Sequence, residues 1–143
     1  MKIEIYTDGA CSGNPGIGGW GAVILIPNEQ PIHLNGGSEN STNNKMELTA
    51  VINALQYFNK KQNINLFTDS KYVMNGIKLW IVNWKKNGWK TASKKPVKNR
   101  ELWEMLDSKI IIHNVNWIWV KGHSGNNYNE EADRLARKYI EEN

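Results

Sequence analysis

Apolar and polar positions alternate between strand-like and helix-like patterns along the whole chain. Residues 2–8 form an apolar-rich stretch that ends on a carboxylate, and residues 63–68 repeat this pattern directly before Asp69. The run 20–26, rich in β-branched residues, the stretch 32–37, which follows turn residues, and the alternation over 115–120, with Trp117 and Trp119 on one face, also predict strands. The pattern therefore predicts five strands.

Helical spacing separates these strands. Apolar residues recur every three or four positions in 43–60, and Ser41 or Thr42 can cap that helix. A helix is predicted after Ser70, with Gly76 as a point where it bends or breaks, and others over about 102–110 and 128–140. Helical crossovers favour a mixed sheet with parallel first and fourth strands. We expect an α/β fold, a five-stranded mixed sheet flanked by helices, with residues 1–143 as one domain.

Two strands end in the same way, with an aromatic residue, Thr and Asp. If they are parallel neighbours, Asp8 and Asp69 lie roughly 5 Å apart at one edge of the sheet. Ligands of open α/β sheets bind at the carboxyl ends of strands. Two adjacent carboxylates repel unless a cation lies between them. The pair therefore indicates a cation site.

Two further acids are candidates for the same edge. Glu47 lies early in its predicted helix, and Asp133 lies one residue off the apolar stripe of the last helix. Either acid alone is more often a helix-dipole partner or a surface charge. Together with Asp8 and Asp69 they form an oxygen-only ligand set, which suits Mg²⁺ or Mn²⁺ rather than zinc. Two such ions suit in-line attack on a phosphodiester.

Two loops carry further candidate chemistry. The stretch 9–19 is dense in small residues and predicts a tight loop with backbone N–H groups open to a ligand. His123 lies in a Gly-His-Ser-Gly loop before the last helix. A single loop histidine is usually structural, but here it can transfer a proton near the acids.

Charge is unevenly distributed along the chain. The net charge is +4, yet residues 80–100 contain seven basic and no acidic residues, so the remainder is mildly acidic. Three tryptophans interleave with these lysines, a combination that suits nucleic-acid binding, although a solvated surface is the alternative. One cysteine excludes a disulfide framework. No apolar run has membrane-spanning length and no signal peptide is evident, so we expect a cytoplasmic protein without membrane partners.

Seven motifs spread over nearly the whole chain resemble type 1 ribonuclease H of the bacterial kind. They are Tyr-Thr-Asp-Gly-Ala-Cys-Ser-Gly-Asn-Pro-Gly (6–16), Thr-Asn-Asn-Lys-Met-Glu-Leu (42–48), Phe-Thr-Asp-Ser-Lys-Tyr-Val (67–73), Asn-Trp-Lys-Lys-Asn-Gly-Trp-Lys-Thr-Ala (83–92), Lys-Lys-Pro-Val-Lys-Asn (94–99), Trp-Val-Lys-Gly-His-Ser-Gly (119–125) and Asn-Glu-Glu-Ala-Asp-Arg-Leu-Ala (129–136). The resemblance implies the ribonuclease H-like fold and an endonuclease that cuts the RNA strand of RNA–DNA hybrids, leaving 3′-hydroxyl and 5′-phosphate ends.

The resemblance also implies roles for the acids and for His123. The four acids would hold two Mg²⁺ ions, with Mn²⁺ as a substitute, and Asp8 would bridge the two ions. His123 would transfer a proton and assist product release. The implied catalytic residues are Asp8, Glu47, Asp69, His123 and Asp133.

Substrate contacts follow from the resemblance in three groups. Asn14, Asn44 and Lys71 would reach the minor groove. Backbone of 11–14, with Glu47, would sense 2′-hydroxyls. Thr42 and Asn99 would hold a DNA phosphate, and the basic protrusion, about residues 80–99, would grip the DNA strand. The full set of expected substrate-binding residues is Cys11, Gly13, Asn14, Thr42, Asn43, Asn44, Lys71, Trp80, Trp84, Lys85, Lys86, Trp89, Lys95, Lys98 and Asn99.

Two positions depart from the family pattern, and two alternative functions stay open. Lys71 stands where relatives often carry glutamine, and Asn40 where they often carry arginine beside Thr42. The alternatives are a noncatalytic hybrid-binding module and another nuclease or strand-transfer enzyme of the same general fold, such as an integrase core or a proofreading exonuclease. The intact four acids favour catalysis, and the basic protrusion favours the hybrid-cutting branch. We expect a monomer.

Overall fold

Five strands form one mixed sheet in the order β3-β2-β1-β4-β5. The computed structural model describes residues 2–91, 93–121 and 127–143. The strands are β1 (Ile3–Cys11), β2 (Gly16–Leu25), β3 (Ile32–Ser41), β4 (Asn63–Thr68) and β5 (Asn114–Trp119). The helices are α1 (Asn43–Gln56), α2 (Lys71–Asn75), α3 (Ile81–Lys86), α4 (Arg100–Ile112) and α5 (Asn127–Glu142), and a π-helical turn (Gly76–Trp80) joins α2 to α3.

Helices cover both faces of the sheet. The apolar stripe of α1 packs on β1 and β2, where Leu48, Val51 and Leu55 join the main core. On the opposite face α5 packs through Ala132 and Leu135 onto β1 and β2. Within the described ranges, no helix combines the length and apolarity needed to cross a membrane.

Parallel pairing of β1 with β4 confirms the relation that the two Thr-Asp endings predicted. Thr7 lies opposite Thr68 in this pairing, and both threonines are fully buried. Asp8 and Asp69 each follow one of these threonines, so the two carboxylates occur at the same edge of the sheet. The strand register therefore brings together the first two candidate ligands.

The glycine-rich stretch 9–19 is mostly strand, and the prediction of a single loop over it was wrong. Backbone pairing of β1 with β2 continues to Cys11 and Gly18, so only residues 12–15 connect the strands. The small residues serve close packing instead: a Cβ at Gly19 or Gly21 would overlap the backbone of α5. Because Gly19 and Gly21 of β2 carry no side chains, α5 can lie directly on the backbone of the sheet.

Gly76 occupies a position that tolerates no side chain. A Cβ there would overlap the indole ring of Trp103, which is fully buried in α4. The sequence left open whether the helix bends or breaks at Gly76. The structure shows no break, because the helix continues there as the π-helical turn. The glycine thus marks a point where this helix lies in close contact with the Trp103 side chain of α4.

We expect Gly76→Ala to destabilise the protein, because the added methyl group must displace the Trp103 ring or the helix. Overpacking of this kind costs about 1–3 kcal/mol of the free energy of unfolding. Chemical denaturation measures this cost, with Asn75→Ala, an exposed neighbour, as the matched control. Equal stability of the two variants would contradict the close packing described above.

Candidate active site

Three carboxyl groups from three different elements meet at the carboxyl edge of the sheet. One oxygen from each of Asp8, Glu47 and Asp69 lies within 4.8 Å of the other two. Asp8 belongs to β1, Glu47 to α1, and Asp69 follows β4. Three of the four acids that the sequence singled out therefore lie close enough to hold one ion.

Glu47 reaches this edge because α1 packs directly on the backbone of β1. A Cβ at Gly9 would lie 2.5 Å from the Glu47 backbone nitrogen, so only glycine permits this approach. Thr42 starts the helix: its hydroxyl accepts a hydrogen bond from the Lys45 backbone N–H at 3.2 Å. The importance of Gly9 was not evident from the sequence, where it appeared only as part of a small-residue stretch.

Burial and mutual repulsion favour the protonated acids in the absence of a cation. Desolvation, followed by the nearby Asp69 carboxylate, raises the pKa of Asp8 to about 9. Burial also raises the pKa of Glu47 well above its ordinary value, and Asp8 and Asp69 add to this effect. The Gly9 N–H, which donates to Asp8 Oδ1 at 2.9 Å, opposes the shift in Asp8. The ionised forms of Asp8 and Glu47 are therefore unfavourable at this site unless a cation balances their charge.

The donor set fits a hard divalent cation. All three groups offer oxygen, and Glu47 Oε1 is buried without a hydrogen-bond partner among the residues that the structure describes. A buried carboxylate oxygen that no protein group satisfies is costly unless a ligand completes it. Several carboxylate oxygens this close together are suitable ligands for Mg²⁺ or Mn²⁺.

Asp133 lies beside Asp8 and joins the cluster from α5. A hydrogen bond between the two carboxyl groups contributes to the raised pKa of Asp8. Arg137 donates through Nε to Asp133 Oδ2 at 3.0 Å, so this acid has both an acidic and a basic neighbour. Sequence reasoning did not identify Arg137, although its spacing of four residues from Asp133 on one helix was a usable signal. His123 lies outside the described residues.

The short connection 12–15 and the first turn of α1 form one polar surface beside the acids. Asn14 Oδ1 accepts a hydrogen bond from the Asn43 backbone N–H at 3.2 Å and links the two segments. The side chains of Asn14, Asn43 and Asn44 are exposed, and Cys11 is half-buried nearby in the chain. The structure thus places several expected substrate-contacting groups on one surface, together with Gly13 and Thr42.

The tryptophans of the basic protrusion, which interleave with its lysines in the sequence, are half-buried and pack together. Their rings pack on one another, with centroids 5.7 Å apart for Trp80 and Trp84 and 6.3 Å apart for Trp84 and Trp89. Trp84 also contacts the buried Trp103 at 5.4 Å. The cluster therefore connects the protrusion to α4. Packing the aromatic rings together removes a large apolar area from water, which stabilises this connection.

Lysines cover the outer surface of the protrusion. The side chains of Lys86, Lys95 and Lys98 are exposed, as is Lys71 at the start of α2. Lys85 is different, because its Nζ lies 3.2 Å from Asp107 Oδ2 and its charge is partly neutralised. The lysines with the least neutralised charge therefore face solvent, where a polyanion can reach them.

Comparison with known proteins agrees with this geometry. The RNase H family model matches residues 1–141. A ribonuclease H from Bartonella bacilliformis is 62% identical over 140 residues, which cover 98% of this chain and 90% of that protein. Among solved structures, LC9-RNase H1, described as a type 1 RNase H with the type 2 active-site motif, superposes with a TM-score of 0.83 at 30% identity, over 96% of this chain and 71% of that one.

A more distant structure shows the same fold. LC11-RNase H1, solved in complex with an RNA/DNA hybrid, has a TM-score of 0.74 at 22% identity, over 98% of this chain and 97% of that one. The family match over nearly the whole length, and the high identity to the Bartonella protein, are decisive. This chain belongs to the ribonuclease H family of enzymes.

Proposed function

We propose that this enzyme hydrolyses the RNA strand of RNA–DNA hybrids and leaves 3′-hydroxyl and 5′-phosphate ends. The observation that carries the proposal is the group of close carboxyls at the sheet edge, where Asp8 is buried and Glu47 and Asp69 are half-buried, in a chain of the ribonuclease H family. A protein that only bound the hybrid would gain nothing from acids close to phosphates, because like charges repel.

The proposed metal ligands are Asp8, Glu47, Asp69 and Asp133, which would hold two Mg²⁺ ions, with Mn²⁺ as a substitute. Bound ions of this kind activate an attacking water and stabilise the leaving 3′ oxygen. Asp8 is in contact with the rest of the group, since the carboxyls of Asp69 and Asp133 raise its pKa and the Asp8 carboxylate in turn raises the pKa of Glu47. His123 remains the proposed proton-transfer residue.

The polar surface beside the acids is the proposed site of RNA recognition. Asn14 and Asn44 would face the minor groove, and the backbone of 11–14, with Glu47, would contact 2′-hydroxyls, the groups that distinguish RNA from DNA. Thr42 and Asn99 would bind a phosphate of the DNA strand. The protrusion, with Trp80, Trp84, Trp89 and its lysines, would follow that strand further.

We expect Lys86→Ala to raise KM more than Lys85→Ala, because Lys85 already pairs with Asp107. Each lysine that neutralises a phosphate contributes about one unit to the slope of the logarithm of the binding constant against the logarithm of the salt concentration. The measurement is KM for a hybrid at salt concentrations from about 50 to about 200 mM. It compares the two single variants with the triple variant Lys86→Ala, Lys94→Ala, Lys95→Ala. A salt dependence unchanged in the triple variant would mean that these lysines are only a solvated surface.

A gel assay with labelled RNA tests the proposed function directly. We expect internal cutting of the RNA strand annealed to DNA, only with Mg²⁺ and not with EDTA. The same RNA alone, an RNA duplex and a DNA duplex are the controls. Retention of the hybrid on a filter without cutting would indicate a binding module, and cutting of the DNA duplex would indicate another nuclease of this fold.

A further inference from the structure

The hydroxyl of Tyr72 joins two side chains of the region where α4 begins. It accepts hydrogen bonds from Asn99 Nδ2 at 3.1 Å and from Trp103 Nε1 at 2.9 Å. A phenol oxygen accepts at two lone pairs, so both are in use here. The Tyr72 oxygen on α2 therefore fixes two groups: the amide of Asn99, which directly precedes α4, and the indole of Trp103, which lies within α4.

Asn99 has an unusual position for a residue in front of a helix. Its backbone is left-handed, with φ 62° and ψ 29°, and its side chain makes no capping hydrogen bond to α4. Asparagine tolerates this conformation better than most residues. Because the amide is not used to cap the helix, its orientation depends on Tyr72.

The same asparagine lines a cleft of about 450 Å³ at the start of α4. Two cationic residues, Lys45 and Arg100, line it as well, together with Glu101 and Leu102. The Asn99 amide nitrogen carries two hydrogens, and only one is needed for the bond to Tyr72. The second hydrogen is available to an anionic oxygen in the cleft.

We propose that Tyr72 is a positioning residue for substrate binding, which holds the Asn99 amide ready to donate to a phosphate in this cleft. The inference rests on the proposed function, since the phosphate belongs to the hybrid. Tyr72 itself does not touch the substrate. It acts by removing the rotational freedom of the amide, which reduces the entropy lost when the phosphate binds.

The surrounding rings hold the phenol in place independently of its hydroxyl. The Tyr72 ring packs against Trp103 with centroids 5.4 Å apart and against Trp80 at 5.8 Å. Trp103 is fully buried. Removal of the hydroxyl oxygen alone should therefore leave the ring in position while it releases Asn99.

The test is Tyr72→Phe, analysed with Asn99→Ala and with the double variant. We expect Tyr72→Phe to weaken hybrid binding about three- to ten-fold, as KM with Mg²⁺ and as Kd in EDTA, and to leave kcat within two-fold; one hydrogen bond has about this effect. In the Asn99→Ala background the same change should have no further effect on Kd. Tyr57→Phe, with its half-exposed ring at the end of α1, is the matched control.

Thermal denaturation and NMR separate positioning from general damage. Loss of the acceptor for the Trp103 N–H is expected to lower Tm in Tyr72→Phe whether or not Asn99 is present, whereas the change in Kd requires Asn99. The Asn99 side-chain amide resonances should move in Tyr72→Phe and stay in Tyr57→Phe. An unchanged Kd, or an equal loss of affinity in the Asn99→Ala background, would overturn the inference.

The proposed function can fail separately. If the wild-type protein binds the hybrid but does not cut it, hydrolysis is wrong, yet Kd in EDTA still decides the role of Tyr72. If the wild-type protein does not bind the hybrid at all, both proposals are wrong. If it cuts the hybrid and Tyr72→Phe binds normally, only the inference about Tyr72 is wrong.

Discussion

Asp8→Asn is expected to abolish hydrolysis of the hybrid while the protein remains folded. Asn is nearly isosteric with Asp but carries no negative charge, so the cluster loses one of its three mutually close carboxylates. Metal-based stabilisation of the transition state is worth several kcal/mol, which corresponds to a loss of about a thousand-fold or more in kcat. Single-turnover cleavage with Mg²⁺ measures this loss, and circular dichroism verifies the fold.

A matched control separates loss of a site acid from loss of any acid. Glu29→Gln changes an exposed acid in the turn between β2 and β3 and should leave kcat unchanged. Asp8→Asn should still bind the hybrid, because its lysines and polar surface are intact. Activity of Asp8→Asn within ten-fold of the wild type would contradict the assignment of this cluster as the active site.

Stability of the metal-free protein is expected to fall as pH rises, relative to Asp8→Asn. The pKa of Asp8 is about 9 in the folded protein, against an ordinary value of 3.8, so the folded state binds its proton more tightly than the unfolded chain. The stabilisation from this proton is fully present below about pH 4 and is lost as pH rises through about 9. Glu47 contributes in the same direction, since its pKa is also raised.

Mg²⁺ is expected to reverse this loss, and to do so more strongly at pH 8 than at pH 5. Metal ligands must be deprotonated, and binding to the folded state alone stabilises it by about 2.7 kcal/mol when the ion is at 100 times its Kd. Chemical denaturation of both proteins at several pH values, with Mg²⁺ and with EDTA, measures these effects. The difference between wild type and Asp8→Asn cancels the titration of groups elsewhere.

Two outcomes would contradict this account. A difference in stability that does not change between pH 5 and pH 9 would mean that Asp8 is ionised in the folded protein without metal. Equal stabilisation of both proteins by Mg²⁺ would mean that the ion binds away from Asp8. Either result would leave the family membership intact, because that rests on the match over the chain.

Much of the fold could be predicted because it depends on local patterns. The alternation of apolar residues in β4 and the helical spacing of Leu48, Val51 and Leu55 reflect which side of each element is buried, and the structure shows these residues in the core. The parallel relation of β1 and β4 followed from two matching strand endings and from the helical crossovers that the pattern predicts. For the same reason Asp8 and Asp69 could be expected side by side.

Tertiary structure alone decided how the remaining groups approach one another. Gly9 permits the contact between β1 and α1 that brings Glu47 to the edge, and a glycine in a sequence does not reveal what packs against it. The tryptophans of the protrusion could not be assigned to solvent or interior from their spacing, because they pack on one another and, through Trp84, on Trp103. Tyr72 joins Asn99 across 27 positions of the chain.

The sequence by itself thus determined the elements, their order and the identity of the acids, because each of these follows from periodicity, strand endings or family motifs within a short stretch. Within the described part of the chain, the structure decided which oxygen is left without a partner, as at Glu47 Oε1, and which charge is neutralised, as at Lys85 beside Asp107. These properties depend on distances between residues far apart in the chain. Desolvation and Coulomb interactions vary steeply with such distances, so only the folded arrangement specifies them.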